Sequence, residues 1–136
     1  MEVELTEVSS EKEEWFSVPR SNGMKLLKMY ASTEIVTPGS LDTAFKNWIE
    51  SNDDRKASEI IAGYGFGVLF GDYMIKAAEA RWMAASGDQD FELAILFNNG
   101  SIAYPIDSVW KRIPKNENEL SFFEPIWRVI SDDVGT

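Results

Sequence analysis

From Ile60 to Gly71 the chain reads I-I-A-G-Y-G-F-G-V-L-F-G, without one charged side chain. A helix of that composition has no face marked for water and is expected to be buried. Gly63, Gly67 and Gly71 recur every fourth residue and would line up along one side of it. An interior glycine costs roughly 1 kcal/mol of helix stability against alanine, so the stripe predicts a backbone or a large ring pressed against it. From Asp72 onward the pattern turns amphipathic. Asp72, Lys76 and Glu79 share a face, with the acid four residues ahead of the base, and Tyr73, Met74 and Ala77 continue the apolar side. The spacing predicts one long helix over 57–82, buried at its start and amphipathic at its end.

The rest of the chain supplies what that helix packs against. Thr37-Pro38-Gly39-Ser40 breaks the chain, with Ser40 able to cap a helix. Leu41, Ala44, Phe45, Trp48 and Ile49 then recur at helical spacing. Asn52-Asp53-Asp54 ends that segment and a short turn follows, which predicts a helical hairpin with the central helix. Ser21-Asn22-Gly23 is a turn signal, and Met24 to Tyr30 fits neither helical nor strand period. After Trp82 the period becomes two. Met83–Ser86 reads as a strand, 87–90 as a turn, and Phe91, Leu93, Ile95 and Phe97 as one side of a second strand. Asn98-Asn99-Gly100 is a hairpin signal, Ser101–Tyr104 returns, and Pro105 stops it. Asp107 is the expected cap of a short helix holding Val109, Trp110 and Ile113. Ser121 and Glu124 have capping-box spacing, ahead of an amphipathic helix through Phe123, Ile126, Trp127 and Ile130. The sum is a single α+β domain over 1–136, a helical hairpin packed on a three-stranded antiparallel sheet with a C-terminal amphipathic helix. The glutamate-rich residues 1–14 form a lead-in expected to be mobile at its tip. Trp15 and Phe16 after it either anchor that segment or face a partner.

Composition narrows the chemistry. At 136 residues and 44% hydrophobic, the chain can bury a real core. The absence of cysteine and histidine removes disulfides, thiolate and imidazole metal ligands, and every histidine-dependent nucleophile. Carboxylate, lysine, tyrosine or serine–lysine chemistry and hard cations remain. With 23 acids against 13 bases, the net charge of −10 opposes binding to nucleic-acid phosphates. It suits steering towards a basic protein partner. No apolar run reaches the roughly 18 residues of a membrane span. The opening M-E-V-E-L-T-E carries acids where a signal peptide carries bases. A soluble, cytoplasmic protein is the expectation.

Four constellations are candidates. The Gly63-Gly65-Gly67-Gly71 run fails the dinucleotide fingerprint, because the sixth position from Gly65 is Phe70, and no Gly-Lys-Ser/Thr follows for a P-loop. It reads as close helix packing. Asp88, Asp90 and Glu92 alternate as D-x-D-x-E, but Leu93 occupies the sixth position where a calcium loop requires glycine. They read as an acidic turn, either simply solvated or placed against a partner's lysines. Arg81, Trp82, Lys111 and Arg112 could form a basic, aromatic anion pocket, or the arginines could pair with acids such as Asp72 and Asp107. The carboxylates otherwise show no catalytic pattern.

Leu41-Asp42-Thr43, the segment Gly67-Val68-Leu69-Phe70-Gly71-Asp72, Trp82, Pro105 and Lys111-Arg112 occur in the order found in a bacterial family catalogued as domain of unknown function 3806. Over Leu41 to Ile113 the chain resembles that family. It departs from the pattern in its acidic first forty residues and at Phe91-Glu92-Leu93-Ala94. The resemblance implies the fold and no activity. Three functions are open on this reading. The first is a non-enzymatic binding protein that sequesters a basic partner, such as an immunity protein neutralising a bacterial toxin, through Glu11, Glu13, Glu14, Trp15, Asp88, Asp90 and Glu92. The second is a small-anion sensor at Arg81, Trp82, Lys111 and Arg112. The third is a carboxylate-dependent hydrolase. No cofactor and no metal is expected, and monomer and homodimer remain equal alternatives.

Overall fold

The computed structural model describes residues 4–8, 14–86, 91–113 and 122–135, with backbone alone at 4, 85, 86, 91 and 92. The elements run β1 (Glu4–Glu7), α1 (Ser17–Ala31), α2 (Pro38–Glu50), α3 (Glu59–Ala77), β2 (Ala80–Ser86), β3 (Phe91–Phe97), β4 (Ile102–Ala103), α4 (Pro105–Arg112) and α5 (Phe123–Val134). The fold is α+β.

The uncharged run forms the centre of α3, and Phe66, Val68, Leu69, Phe70 and Met74 are buried there. Its glycines make room on two sides. A Cβ on Gly71 would meet the Trp82 ring at 2.2 Å, one on Gly67 the Ile106 Cα at 2.6 Å, and one on Gly63 the Trp110 ring at 2.8 Å. On the other side Gly65 faces Gly23 of α1, whose own Cβ would lie 2.5 Å from the Gly65 carbonyl oxygen. This contact explains why Ser21-Asn22-Gly23 is helix interior and not a turn. Gly23 serves a backbone-to-backbone approach that no side chain would permit, and burial of Leu26 and Leu27 beyond it holds the segment helical. Pro19 sits in the first turn of α1, where its missing N–H costs nothing. The broadest helix contact of α3 is accordingly with α1, and its contact with α2 is smaller.

Several helix ends differ from expectation. Thr37, not Ser40, caps α2: Thr37 Oγ1 accepts from the Ser40 N–H at 3.0 Å and Ser40 Oγ accepts from the Thr37 N–H at 2.9 Å, with Pro38 opening the helix. Helix α3 starts after Ser58, whose hydroxyl accepts from the Ile61 N–H, and it ends at Ala77. The stretch 80–82 that the sequence continued as helix is instead the start of β2, so Trp82 lies back across Gly71. Asp107 lies within the first turn of α4 and pairs with Lys111, while Tyr104 holds the cap position without a side-chain bond. Phe122 holds the cap position of α5, also without a side-chain bond of its own. The partner comes from α2. Asp42, 8% exposed, accepts from the N–H groups of Phe122 at 2.7 Å, Phe123 at 2.8 Å and Glu124 at 3.1 Å. A carboxylate at a helix start satisfies orphan donors and complements the dipole.

The sheet is antiparallel in the order β1-β2-β3-β4. It therefore has four strands where a three-stranded meander was expected. Glu4–Glu7 of the lead-in adds to β2, Glu4 opposite Ser86 and Glu7 opposite Met83. The β3–β4 loop is Asn98-Asn99-Gly100, and Gly100 takes φ +92, the left-handed conformation that closes a three-residue hairpin. Ile95 and Phe97 enter the core beneath α3, with Phe45, Phe66, Phe70 and Phe123 stacked edge to face around them.

Candidate functional site

Large apolar side chains left in water are more informative about function than those in the core. The beginning of α3, expected to be buried, is where they gather. Ile60 is 62% exposed, Ile61 41% and Tyr64 36%, successive positions on one side of the helix, and Trp15 is 41% exposed. Glu14 and Trp15 occupy a helical turn ahead of α1, fixed by a bond from Ser17 Oγ to the Glu14 carbonyl at 2.9 Å. The Trp15 ring stands edge-on to Tyr64 with centroids 5.4 Å apart, and Tyr64 stands edge-on to Trp110 of α4 at 6.0 Å. Phe16, 3% exposed, is the anchor of the Trp15–Phe16 pair; Trp15 is the outward member. Three elements thus present a continuous aromatic row, Trp110–Tyr64–Trp15, bordered by Ile60, Ile61 and Val18. Glu14 precedes Trp15 and Glu59 precedes Ile60 in the chain, and Asp107 lies one helical turn before Trp110. Edge-to-face packing of this kind favours fixed ring orientations.

Of the other residues expected to contact a partner, Glu11, Glu13, Asp88 and Asp90 lie outside the described residues. Glu92 is placed by its backbone only, opposite Ala85 in the β2–β3 ladder. Sequence reasoning missed Ile60, Ile61 and Tyr64, because an uncharged stretch reads as buried throughout. Helices α1 and α4, its main neighbours, cover only part of its circumference.

The four residues of the anion reading have separate engagements. Arg81 lies 4.0 Å from Glu7 of β1. Lys111 pairs with Asp107 at 2.9 Å, and the Arg112 guanidinium lies 5.7 Å from the centroid of the Phe122 ring. The Trp82 indole N–H donates to Asp72 at 3.1 Å. Asp72 also accepts from both donors of one edge of the Arg20 guanidinium, Nε at 2.6 Å and Nη2 at 3.1 Å, instead of pairing with Lys76. The hydrogen bond to Asp72 raises the Arg20 pKa above its ordinary value, and partial burial works against it. Among the described residues no cluster of three acids is placed to hold a metal ion, and no helix is long and apolar enough to cross a membrane.

No family model and no curated protein matches the chain. A crystal structure from Bacteroides thetaiotaomicron VPI-5482, solved at 1.50 Å, is similar to it with a TM-score of 0.73 at 9% sequence identity. The match covers 98% of this chain and 48% of that one, so the chain spans about half the length of the protein it resembles. At that identity the likeness concerns the fold alone.

Proposed function

We propose that the chain is a non-enzymatic, cytoplasmic protein-binding domain that sequesters a basic protein, in the manner of an immunity protein neutralising a bacterial toxin. The observation carrying this reading is the exposed Trp15–Tyr64 face with Ile60 and Ile61 beside it in a molecule of net charge −10. Tryptophan and tyrosine dominate the energetics of protein interfaces, and flanking charge of one sign selects and steers the partner. Glu11, Glu13, Glu14, Asp88, Asp90 and Glu92 are the acidic contacts this proposal assigns to the partner, and of them Glu14 lies beside Trp15 in the chain. Membership of the domain of unknown function 3806 family is part of the same proposal and names no partner.

The test is capture from the native organism's lysate with the wild-type chain and with Ile61→Asp, at low and high salt. A stoichiometric basic protein that the wild type retains, that high salt weakens and that Ile61→Asp releases is the expected result. Retention of the same protein by Ile61→Asp, or no basic partner at any salt, overturns the proposal.

A further inference from the structure

Gly63 seats the aromatic row. A Cβ there would lie 2.8 Å from Trp110 Cε2 and 3.1 Å from two atoms bonded to it, Cζ2 and Nε1. An in-plane approach from outside the indole would bring Cζ2 or Nε1 nearer than the fused carbon between them, so Gly63 lies under the face of the ring. Trp110 is therefore laid flat on α3. Tyr64, the next residue of that helix, stands at 81° to it and at 84° to Trp15. Ring faces are the negative side of the aromatic quadrupole and attract cations. The chain's own cations use them elsewhere: Arg20 lies 5.8 Å from the Phe16 centroid, Arg112 5.7 Å from that of Phe122, and Lys56 5.2 Å from that of Trp48. Among the described residues no cation lies over Trp15, Tyr64 or Trp110, and Lys111, beside Trp110 in the chain, pairs with Asp107.

We propose that the row receives an arginine side chain of the basic partner, its guanidinium stacked on the rings of Trp15 and Tyr64. This inference rests on the reading of the face as the partner's docking surface, and names the group that the surface selects. Ile60, Ile61 and Val18 offer apolar contact to a partner of any charge, whereas the rings favour a cation. Trp15 and Tyr64 are the exposed rings, and Trp110 has one face taken up by Gly63. A guanidinium suits such a surface better than an ammonium does, because it is planar and weakly hydrated and stacks on a ring without surrendering a tight hydration shell. Stacked in that way it keeps its N–H edges for carboxylates, and exposed Glu14 and Glu59 precede Trp15 and Ile60 in the chain. The net charge of −10 acts in the same direction, drawing in a cationic side chain.

The experiment titrates a blocked glycyl-arginyl-glycine peptide, and its lysine and citrulline counterparts, into the full chain and reads the indole N–H signals by nitrogen-15 NMR. Trp48, whose indole N–H donates to the Ala57 carbonyl within the fold, is the internal reference. The arginine peptide should shift the Trp15 and Trp110 signals saturably while Trp48 stays in place. The lysine peptide should bind more weakly, and the neutral citrulline peptide should leave both signals unmoved. Trp15→Leu and Tyr64→Leu keep apolar bulk and remove a ring. Read at Trp110, each should weaken the arginine peptide about two- to fivefold, the range of one exposed cation–π contact. Absence of a saturable Trp15 shift, an equal shift from the lysine or citrulline peptide, or undiminished binding to both variants overturns the inference. If it fails while the wild type still captures a basic protein that Ile61→Asp releases, the partner reading stands and the guanidinium alone is wrong. Arginine-selective binding by a chain that captures no protein upholds the ring site and overturns the partner reading.

Discussion

Asp42 shows how one side chain can be read twice. The sequence places it at a helix start, beside Leu41, and assigns the start of the last helix to Ser121 and Glu124 by spacing. Ser121 lies outside the described residues; in the fold Asp42, eighty residues before Phe122, takes three successive N–H groups of the 122–124 backbone. Asp42→Ala leaves those donors buried without a charged acceptor, and should cost about 2–3 kcal/mol in urea unfolding. Asp42→Asn, which keeps one acceptor oxygen, should recover part of the loss; a cost for Asp42→Ala below ~0.5 kcal/mol would show that the docking of α5 does not depend on it. The glycines differ among themselves in the same testable way. Gly23→Ala drives a Cβ into the Gly65 backbone, and overpacking of about 1–3 kcal/mol should exceed the ~1 kcal/mol gained in helix propensity. At Gly39 the nearest atom to a Cβ is Thr37 Oγ1 at 3.8 Å, so Gly39→Ala should be neutral or stabilising. Equal effects at the two positions would contradict the close approach of α1 and α3. Arg20, with its pKa raised by Asp72, contributes below the unfolded guanidinium pKa and loses that contribution only as pH rises through the higher folded value. The stability difference between wild type and Arg20→Ala should therefore be flat between about pH 6 and 9.

At the scale of elements, hydrophobic period located α2, β3 and α5, whose apolar positions repeat at their own period, and an unbroken uncharged run located α3. Leu41, Ala44, Phe45 and Trp48 of α2 are all in the core. It could not locate α1, whose apolar positions are broken by Gly23, nor the true end of α3, where Ala77 and Ala78 suit helix and strand alike. Strand β2 takes over at Ala80 because its backbone pairs with β3 from there to Ser86, and β1 adds on its other side from Met83 onward. The same limit hid the candidate face. Which side of a uniformly apolar helix is left uncovered depends on how many neighbours arrive, and around α3 Ile60, Ile61 and Tyr64 remain outward. An exposed substitution such as Ile61→Asp should change stability by no more than about 0.5 kcal/mol while abolishing partner capture. A large fall in melting temperature would mean that Ile61 is structural and the docking face misplaced.

The whole molecule is a helical layer around α3 with a four-stranded sheet edged by its own N-terminal segment. Net charge acts at this scale alone. If a basic partner is steered by the field of −10, the association rate should fall steeply between low and physiological ionic strength while dissociation changes little. A rate indifferent to salt would leave the acidic contacts without a role. By itself the sequence determined the α+β class, the buried centre of α3, the β3–β4 hairpin and the exclusion of histidine and cysteine chemistry. These follow from composition and from periodicities that a local segment carries alone. The tertiary structure decided the addition of β1 to the sheet, the capping of α5 by Asp42, the pairing of Gly23 with Gly65 and the union of Arg20, Asp72 and Trp82. It also decided which apolar residues of α3 face water. Each of these joins residues far apart in the chain or depends on how neighbouring elements cover one another, and no local period encodes a contact of that kind.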